Sequence, residues 1–532
     1  MVSAADPRAA EAGATMLREG GSAADAAIAT LVALNVVEPQ SSGIGGGGFL
    51  VYRDGSGAIG SYDGRETAPA AATGTWFYRD GKPMPSSEAQ PGGRSVGVPG
   101  NVRMMALAHA RHGRLPWKDL FAPAIALARD GFVITARMHN ALDYGRATGA
   151  LDAAGRALYY DANGEPLPVG TRIRNPAMAA FLTRLAELGP DSFYVGPNGQ
   201  AIAAKVSGSP VNPAPMTPGD LASYDAKARD AVCGTYRGYR ICGMGPPSSG
   251  ATTVFAILKQ LERFDLTALG PDSPRAWHLI AESMRLAYAD RGRYLADSDY
   301  LPVPVAGLTD PAYLAKRSQL IDPDHAMATA PVGTPPGAQP MAAGVHAEEH
   351  GTSHFVAVDS WGEVASLTST IESAFGSGLI VNGYYLNNEL TDFSRVPQEN
   401  GIAVANRVEG GKRPRSSMSP TIVLSPDGSV RLAIGAAGGA TIIAQVAKAI
   451  IGVIDWDLSA QDAIALPVLY APGDTVYLEQ GSAQVAMAPA LRVMGHIVDI
   501  RSPGFKANAI EWRGGTWVGA ADPRSEGGWV KE

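Results

Sequence analysis

The chain has 532 residues, 45% of them hydrophobic and 18% charged, and a formal net charge of -7. This composition supplies a sizeable core and excludes a disordered or fibrous chain, while its mild acidity excludes the basic field that would gather a nucleic-acid partner. The nearest approach to a membrane span, "AADAAIATLVALNVV", carries Asp25 and Asn35 and falls short of the about eighteen uninterrupted apolar residues a spanning helix needs.

In chain order, Met1 leads into "VSAADPRAAEAG", with neither a basic n-region nor an apolar h-region. The expectation is a cytoplasmic protein if Met1 is the natural start, or an exported one whose signal preceded this numbering. Residues 7–36 read as one or two helices, with Ser22 as an N-cap and an end at Glu38-Pro39. "SSGIGGGG" then hands over to a strand, "FLVYRD". Gly43, Gly45 and Gly48 satisfy G-x-G-x-x-G, but dinucleotide binding needs the order strand, glycines, helix. Here the order is helix, glycines, strand, so a close-packed backbone segment is expected instead. Further helices with proline at their starts are expected over 116–129, 176–188, 274–291 and 311–320.

Cys233 and Cys242 are the only cysteines, and they flank a hairpin-like stretch. A two-residue turn at Arg237 and Gly238 would set them opposite each other as a disulfide. Arg-Gly is not a preferred turn pair, so two unbonded core cysteines are the favoured expectation. Residues 322–351 are rich in Pro, Gly and Ala without periodicity and read as a flexible linker. Within it, "HAEEH" (His346 to His350) has the His spacing of a zincin helix, but Ala347 stands where the general-base Glu must follow the first His. "SHFVAVD" and "EVASLTST" then form a hairpin signal around "SWG", followed by strands "TIVLS" and "VRLAIG" and the apolar helix "TIIAQVAKAIIGVID". His354 has no matching G-x-S-x-G elbow and is expected to be structural.

Order resumes after the linker at Gly351-Thr352. A Thr hydroxyl needs a base, and a free α-amine with a pKa of about 8 supplies one if the Thr becomes N-terminal. The small Gly351, the flexible approach and the firm strand downstream suit a self-cleaving bond. Cleavage there would give fragments 1–351 and 352–532.

The sequence also resembles the γ-glutamyltransferases (glutathione hydrolases), a family of N-terminal-nucleophile hydrolases. The likeness runs through "EAGATMLREGGSAADAAIAT", "VVEPQSSGIGGGGFLVY", "DGRETAP", "YRGYRICGMGPPSSG", "GTSHFVAVD", "TSTIESAFGSG", "LNNELTDFS", "KRPRSSMSPTIVL", "GAAGGATII" and "GAADPRSEGG". The resemblance implies an α/β (α+β) fold, a four-layer αββα sandwich in which a large subunit, 1–351, and a small catalytic subunit, 352–532, form one intertwined domain. It matches Thr352 to the nucleophile and Thr370 to its orienting hydroxyl. Arg65, Ser416 and Ser417 match a carboxylate clamp, Glu389 and Asp392 an ammonium clamp, and Gly438 and Gly439 an oxyanion hole. The last agrees with a glycine-rich turn between a strand and a helix N-terminus, where developing negative charge is stabilised.

Expected partners are a small γ-glutamyl substrate such as glutathione, amino-acid or peptide acceptors, and the chain's own two fragments. No cofactor, metal, nucleic acid or membrane is expected, and the family resemblance implies a periplasmic or secreted location. Glu372 departs from the Asn usual in the family, and should penalise acyl groups that lack an amine. Residues 395–411, which join "TDFS" to "KRPRSS", show no aromatic-bearing lid, so an open pocket is expected. The alternatives are a glutaryl or cephalosporin acylase of the same fold, and an unprocessed, non-catalytic homologue.

Overall fold

The computed structural model describes residues 1–344, 351–501, 504 and 506–531. Strand β1 (Val2–Ala4) precedes helices α1 (Pro7–Arg18) and α2 (Ala23–Val37), then β2 (Gly47–Arg53) and β3 (Ile59–Gly64). After a helical region come β4 (Lys227–Asp230), β5 (Val232–Tyr236), β6 (Tyr239–Gly243), α3 (Gly250–Leu261) and α4 (Pro274–Tyr294). The C-terminal part adds β7 (Ser353–Val358), β8 (Val364–Thr370), β9 (Thr421–Leu424), β10 (Val430–Ala437), α5 (Thr441–Ile454), β11 (Lys506–Arg513), β12 (Thr516–Ala521) and β13 (Gly528–Val530).

These strands build two sheets, ordered β13-β1-β7-β8-β2-β3-β4 and β12-β11-β10-β9-β6-β5. Each sheet mixes strands from both sides of Gly351, so the two halves of the chain fold as one body. The alternation of side chains along a strand explains why "SHFVAV" is apolar nearly throughout. Phe355 and Ala357 enter the core shared with α1 and α2, while Val356 and Val358 enter the core shared with β9, β10, α3 and α5. With both faces covered, all six residues of β7 are buried.

The start of α2 forms where expected. Ser22 Oγ accepts the Asp25 N–H at 3.2 Å, and Asp25 Oδ2 accepts the Ser22 N–H at 2.9 Å, a reciprocal cap. The expectation of unbonded cysteines is corrected: Cys233 pairs with Cys242 across β5 and β6, and the two form a disulfide. The turn is the two-residue one, with φ of 51° at Arg237 and 84° at Gly238. Arg237 tolerates this conformation because distant groups hold it: its guanidinium donates to Asp455 Oδ1 at 3.0 Å and to the carbonyls of Glu262 and Phe264 at 2.7 and 2.6 Å. Residues 322–344, read from sequence as slack, contain no helix or strand but are tied down. Arg285 Nη1 donates to Met327 O at 2.7 Å, Gly333 N to Asp290 Oδ1 at 2.7 Å and Ala342 N to Ala403 O at 3.0 Å. His346 and His350 lie outside the described residues.

Candidate active site

Two neighbouring strands of the first sheet bring the two expected threonines together. Thr352 immediately precedes β7, Thr370 closes β8, and Ser353 stands opposite Ser369. Thr352 Oγ1 donates to Thr370 Oγ1 at 3.3 Å, and Thr370 Oγ1 also accepts the Glu372 N–H at 2.7 Å. One hydroxyl thus orients Thr352 and pins the segment that carries Glu372. Thr352 is buried with φ of 132°, a conformation that costs a β-branched residue roughly 1–3 kcal/mol. A Cβ on Gly351 would stand 1.7 Å from Glu372 O, so only glycine fits there. Gly46 approaches Thr370 O in the same way, at 2.0 Å for a built Cβ. The glycine run is therefore a close-packed floor beneath Thr370, in keeping with its rejection as a nucleotide loop.

Arg65 follows β3 into complete burial. Its guanidinium forms ion pairs with both Glu389 and Asp392, and donates to Pro414 O at 3.1 Å and Arg415 O at 3.0 Å. Burial opposes its charge, but Glu389 and Asp392 outweigh burial and hold the guanidinium above its ordinary pKa. The short turn Glu389–Asp392 carries both acids, a spacing that puts them on one side. Oxygens of Glu372, Glu389 and Asp392 lie within 4.8 Å of one another. That spacing suits a cation, either an ammonium group or a metal ion.

Two further residues escaped the sequence reading. Glu66, next to Arg65, is pushed well above the usual carboxyl range by burial and then by Glu389. Arg291, near the end of α4, donates to Ser417 Oγ at 2.5 Å and to Ser249 Oγ at 2.8 Å. In the sequence it marks only the expected end of the helix over 274–291. Ser416 adjoins it: its carbonyl accepts the Ser249 N–H and hydroxyl at 2.8 and 2.6 Å, and its Oγ accepts the Met418 N–H at 3.1 Å. The two serines are linked to Arg65 through the neighbouring Arg415 carbonyl.

Gly438 and Gly439 join β10 to α5 with φ of 121° and 58°. Gly438 and Ser373, the neighbour of Glu372, line a cavity of about 1140 Å³ that also reaches Tyr288 and Tyr470. Thr352, Arg65, Glu389 and Asp392 are not among its lining residues, and none of residues 395–411 lines it. A buried charged cluster and a large outer cavity thus meet at the segment that carries Glu372 and Ser373. His354 takes no part: burial lowers its pKa to about 3, its Nδ1 pairs with Thr368 Oγ1 at 2.8 Å, and its ring packs on Gly435 between the sheets. No helix among the described residues is long and apolar enough to cross a membrane.

Residues 9–531 match the family model described as Gamma-glutamyltranspeptidase. The glutathione hydrolase proenzyme of Bacillus subtilis (strain 168) is 37% identical, over 99% of this chain and 90% of that protein. The acylase ACY 1 proenzyme of Pseudomonas sp. (strain SE83) is 35% identical, over 99% of this chain and 92% of that protein. Among solved structures, the cephalosporin acylase from Bacillus halodurans superposes with a TM-score of 0.87 at 26% identity, over 100% of this chain and 96% of that one.

Proposed function

The chain belongs to the γ-glutamyltranspeptidase family, and from that premise we propose that it is a self-processing enzyme that cleaves γ-glutamyl amides such as glutathione. The observation that carries this reading is the contact between Thr352 and Thr370 beside the buried cluster of Glu372, Glu389 and Asp392 that also holds Arg65. On this reading the Gly351-Thr352 bond breaks first and frees the Thr352 α-amine. That amine takes the proton of Oγ1 as the oxygen attacks the substrate γ-carbonyl. The Gly438-Gly439 turn receives the oxyanion, the amine proton passes to the leaving group, and a γ-glutamyl ester forms on Thr352. Water or an acceptor amine then resolves the ester.

The substrate α-ammonium is the cation that Glu372, Glu389 and Asp392 receive, with Arg65, Ser416 and Ser417 facing the α-carboxylate. The outer cavity takes the leaving group and the acceptor, and its size suits larger acceptors. We read the two facing sheets with their covering helices as the four-layer αββα sandwich of N-terminal-nucleophile hydrolases. A periplasmic or secreted location accords with the Cys233–Cys242 disulfide.

A second reading, a glutaryl-type acylase, is favoured by the similarity to the ACY 1 proenzyme. Hydrolysis of γ-glutamyl and glutaryl anilides separates the two. We expect the γ-glutamyl compound to be preferred, and Glu372→Gln to shift the kcat/KM ratio toward glutaryl by about 10-fold, the worth of one hydrogen bond to a charged group. A wild-type preference for glutaryl would overturn the main reading. Processing gives a further expectation: Gly351→Ala forces the backbone away from Glu372 O, so on a denaturing gel the variant remains full-length over a period in which the wild type separates into two chains.

A further inference from the structure

Behind the threonines lies a buried ion pair that the mechanism above does not use. Lys506, the first residue of β11, donates to Glu38 Oε2 at 2.6 Å, Ser353 Oγ at 3.2 Å and Ser41 Oγ at 3.3 Å. Its three ammonium hydrogens thus have three acceptors, and the residue is 1% exposed. Ser353 Oγ in turn donates to Glu38 Oε2 at 2.7 Å. Glu38 Oε1 lies 3.5 Å from Arg137 Nε, and Arg137 lines the outer cavity.

Each partner leads directly to a different part of the site. Ser353 is the residue after Thr352. Ser41 offers its carbonyl to the Ile371 N–H at 3.2 Å, and Gln40 offers its own to the Phe375 N–H at 3.2 Å. The turn after α2 therefore supports the segment from Thr370 through Glu372. Lys506 itself stands opposite Ala437 in the β10–β11 ladder, one residue before Gly438. The ammonium spans the two sheets at their catalytic end.

We propose that the Lys506–Glu38 pair is a positioning device that sets the nucleophile, the Glu372 segment and the glycine turn relative to one another. This inference rests on the proposed γ-glutamyl chemistry. The charges survive near neutral pH: burial lowers the Lys506 ammonium to about 8, with Glu38 pulling it back up. Burial raises the Glu38 carboxyl, but Lys506 and Arg137 outweigh it and leave it below its ordinary range.

Buried pairs allow a discriminating test, because removing one partner strands a charge whereas replacing both with apolar residues is often neutral for stability. The readouts are thermal midpoint and steady-state kinetics on γ-glutamyl-p-nitroanilide, for processed protein. Lys506→Met is expected to lower both the midpoint and kcat. Lys506→Met/Glu38→Met is expected to regain most of the midpoint while kcat stays at least 10-fold low and KM changes less than 3-fold. Lys448→Met, at a buried lysine that among the described residues donates to Ile464 O and Leu466 O, is the control, and should lower the midpoint without that kcat loss. If the double variant yields no folded protein, Ser353→Ala removes one arm of the network and is expected to lower kcat several-fold with a smaller fall in midpoint than Lys506→Met. Recovery of kcat together with stability in the double variant, or a Ser353→Ala enzyme with wild-type kcat, would overturn the proposal. A wild type that never turns over the anilide would instead overturn the γ-glutamyl reading, and this inference with it.

Discussion

Thr352→Ala is expected to remain a single chain and to lose turnover of γ-glutamyl anilides by roughly 10⁴-fold or more, the scale on which removal of a catalytic nucleophile acts. Both losses follow from one oxygen. Thr352 Oγ1 is held at 3.3 Å from Thr370 Oγ1, and the strained φ of 132° sits beside a glycine that admits no side chain. In the proposed scheme that oxygen first attacks the Gly351 carbonyl and later the substrate. The variant keeps the fold, since only a hydroxyl and a methyl are removed. Its thermal midpoint is expected to match that of the uncleaved wild-type precursor, so the loss reads as chemistry. Turnover by Thr352→Ala at more than a hundredth of the wild-type rate would assign the nucleophile elsewhere.

Arg65→Met is the second large effect. The guanidinium pairs with Glu389 and Asp392 in full burial, so its removal leaves carboxylates without their cation, a loss of about 3–5 kcal/mol. Activity should fall by at least 10³-fold at subsaturating substrate, because the proposed partner of the α-carboxylate is lost and the acids that face the ammonium are released. Arg65→Lys keeps the charge but cannot reproduce the fork that reaches both acids and the carbonyls of Pro414 and Arg415. Its expected signature is a partial recovery of the thermal midpoint with KM still raised about 10-fold or more. A wild-type thermal midpoint for Arg65→Met, measured by calorimetry, would show that the buried acids do not depend on this cation.

The elements legible in the sequence are those whose signals are local. Ser22 and Asp25 announce the start of α2 within a few residues, and the "SWG" hairpin pairs Val358 with Val364 as expected. The cysteine pairing was misjudged because the decisive contacts are remote: Arg237 accepts an unfavourable turn conformation only because Asp455, Glu262 and Phe264 hold it. The segment 322–344 looked slack for the same reason, since Arg285 and Asp290, which anchor it, lie in α4. In the site, Glu389 and Asp392 alone would read as a solvated loop, and Arg65 as a solvated or core-paired arginine. Only the family blocks drew attention to them, and only the fold shows that they pair. Glu38 lies in the block that ends α2 and Lys506 in none, and nothing in a linear reading brings them to Ser353.

The central claim is that Thr352 becomes an N-terminal nucleophile. Intact-mass measurement of the purified wild-type protein under denaturing conditions tests it most directly. Two species are expected, with the masses of residues 1–351 and 352–532, the second beginning at Thr352, and a single species for Thr352→Ala. A wild type that stays at the full 55.2 kDa while hydrolysing γ-glutamyl anilides, or a Thr352→Ala chain that cleaves at the same bond, would contradict it.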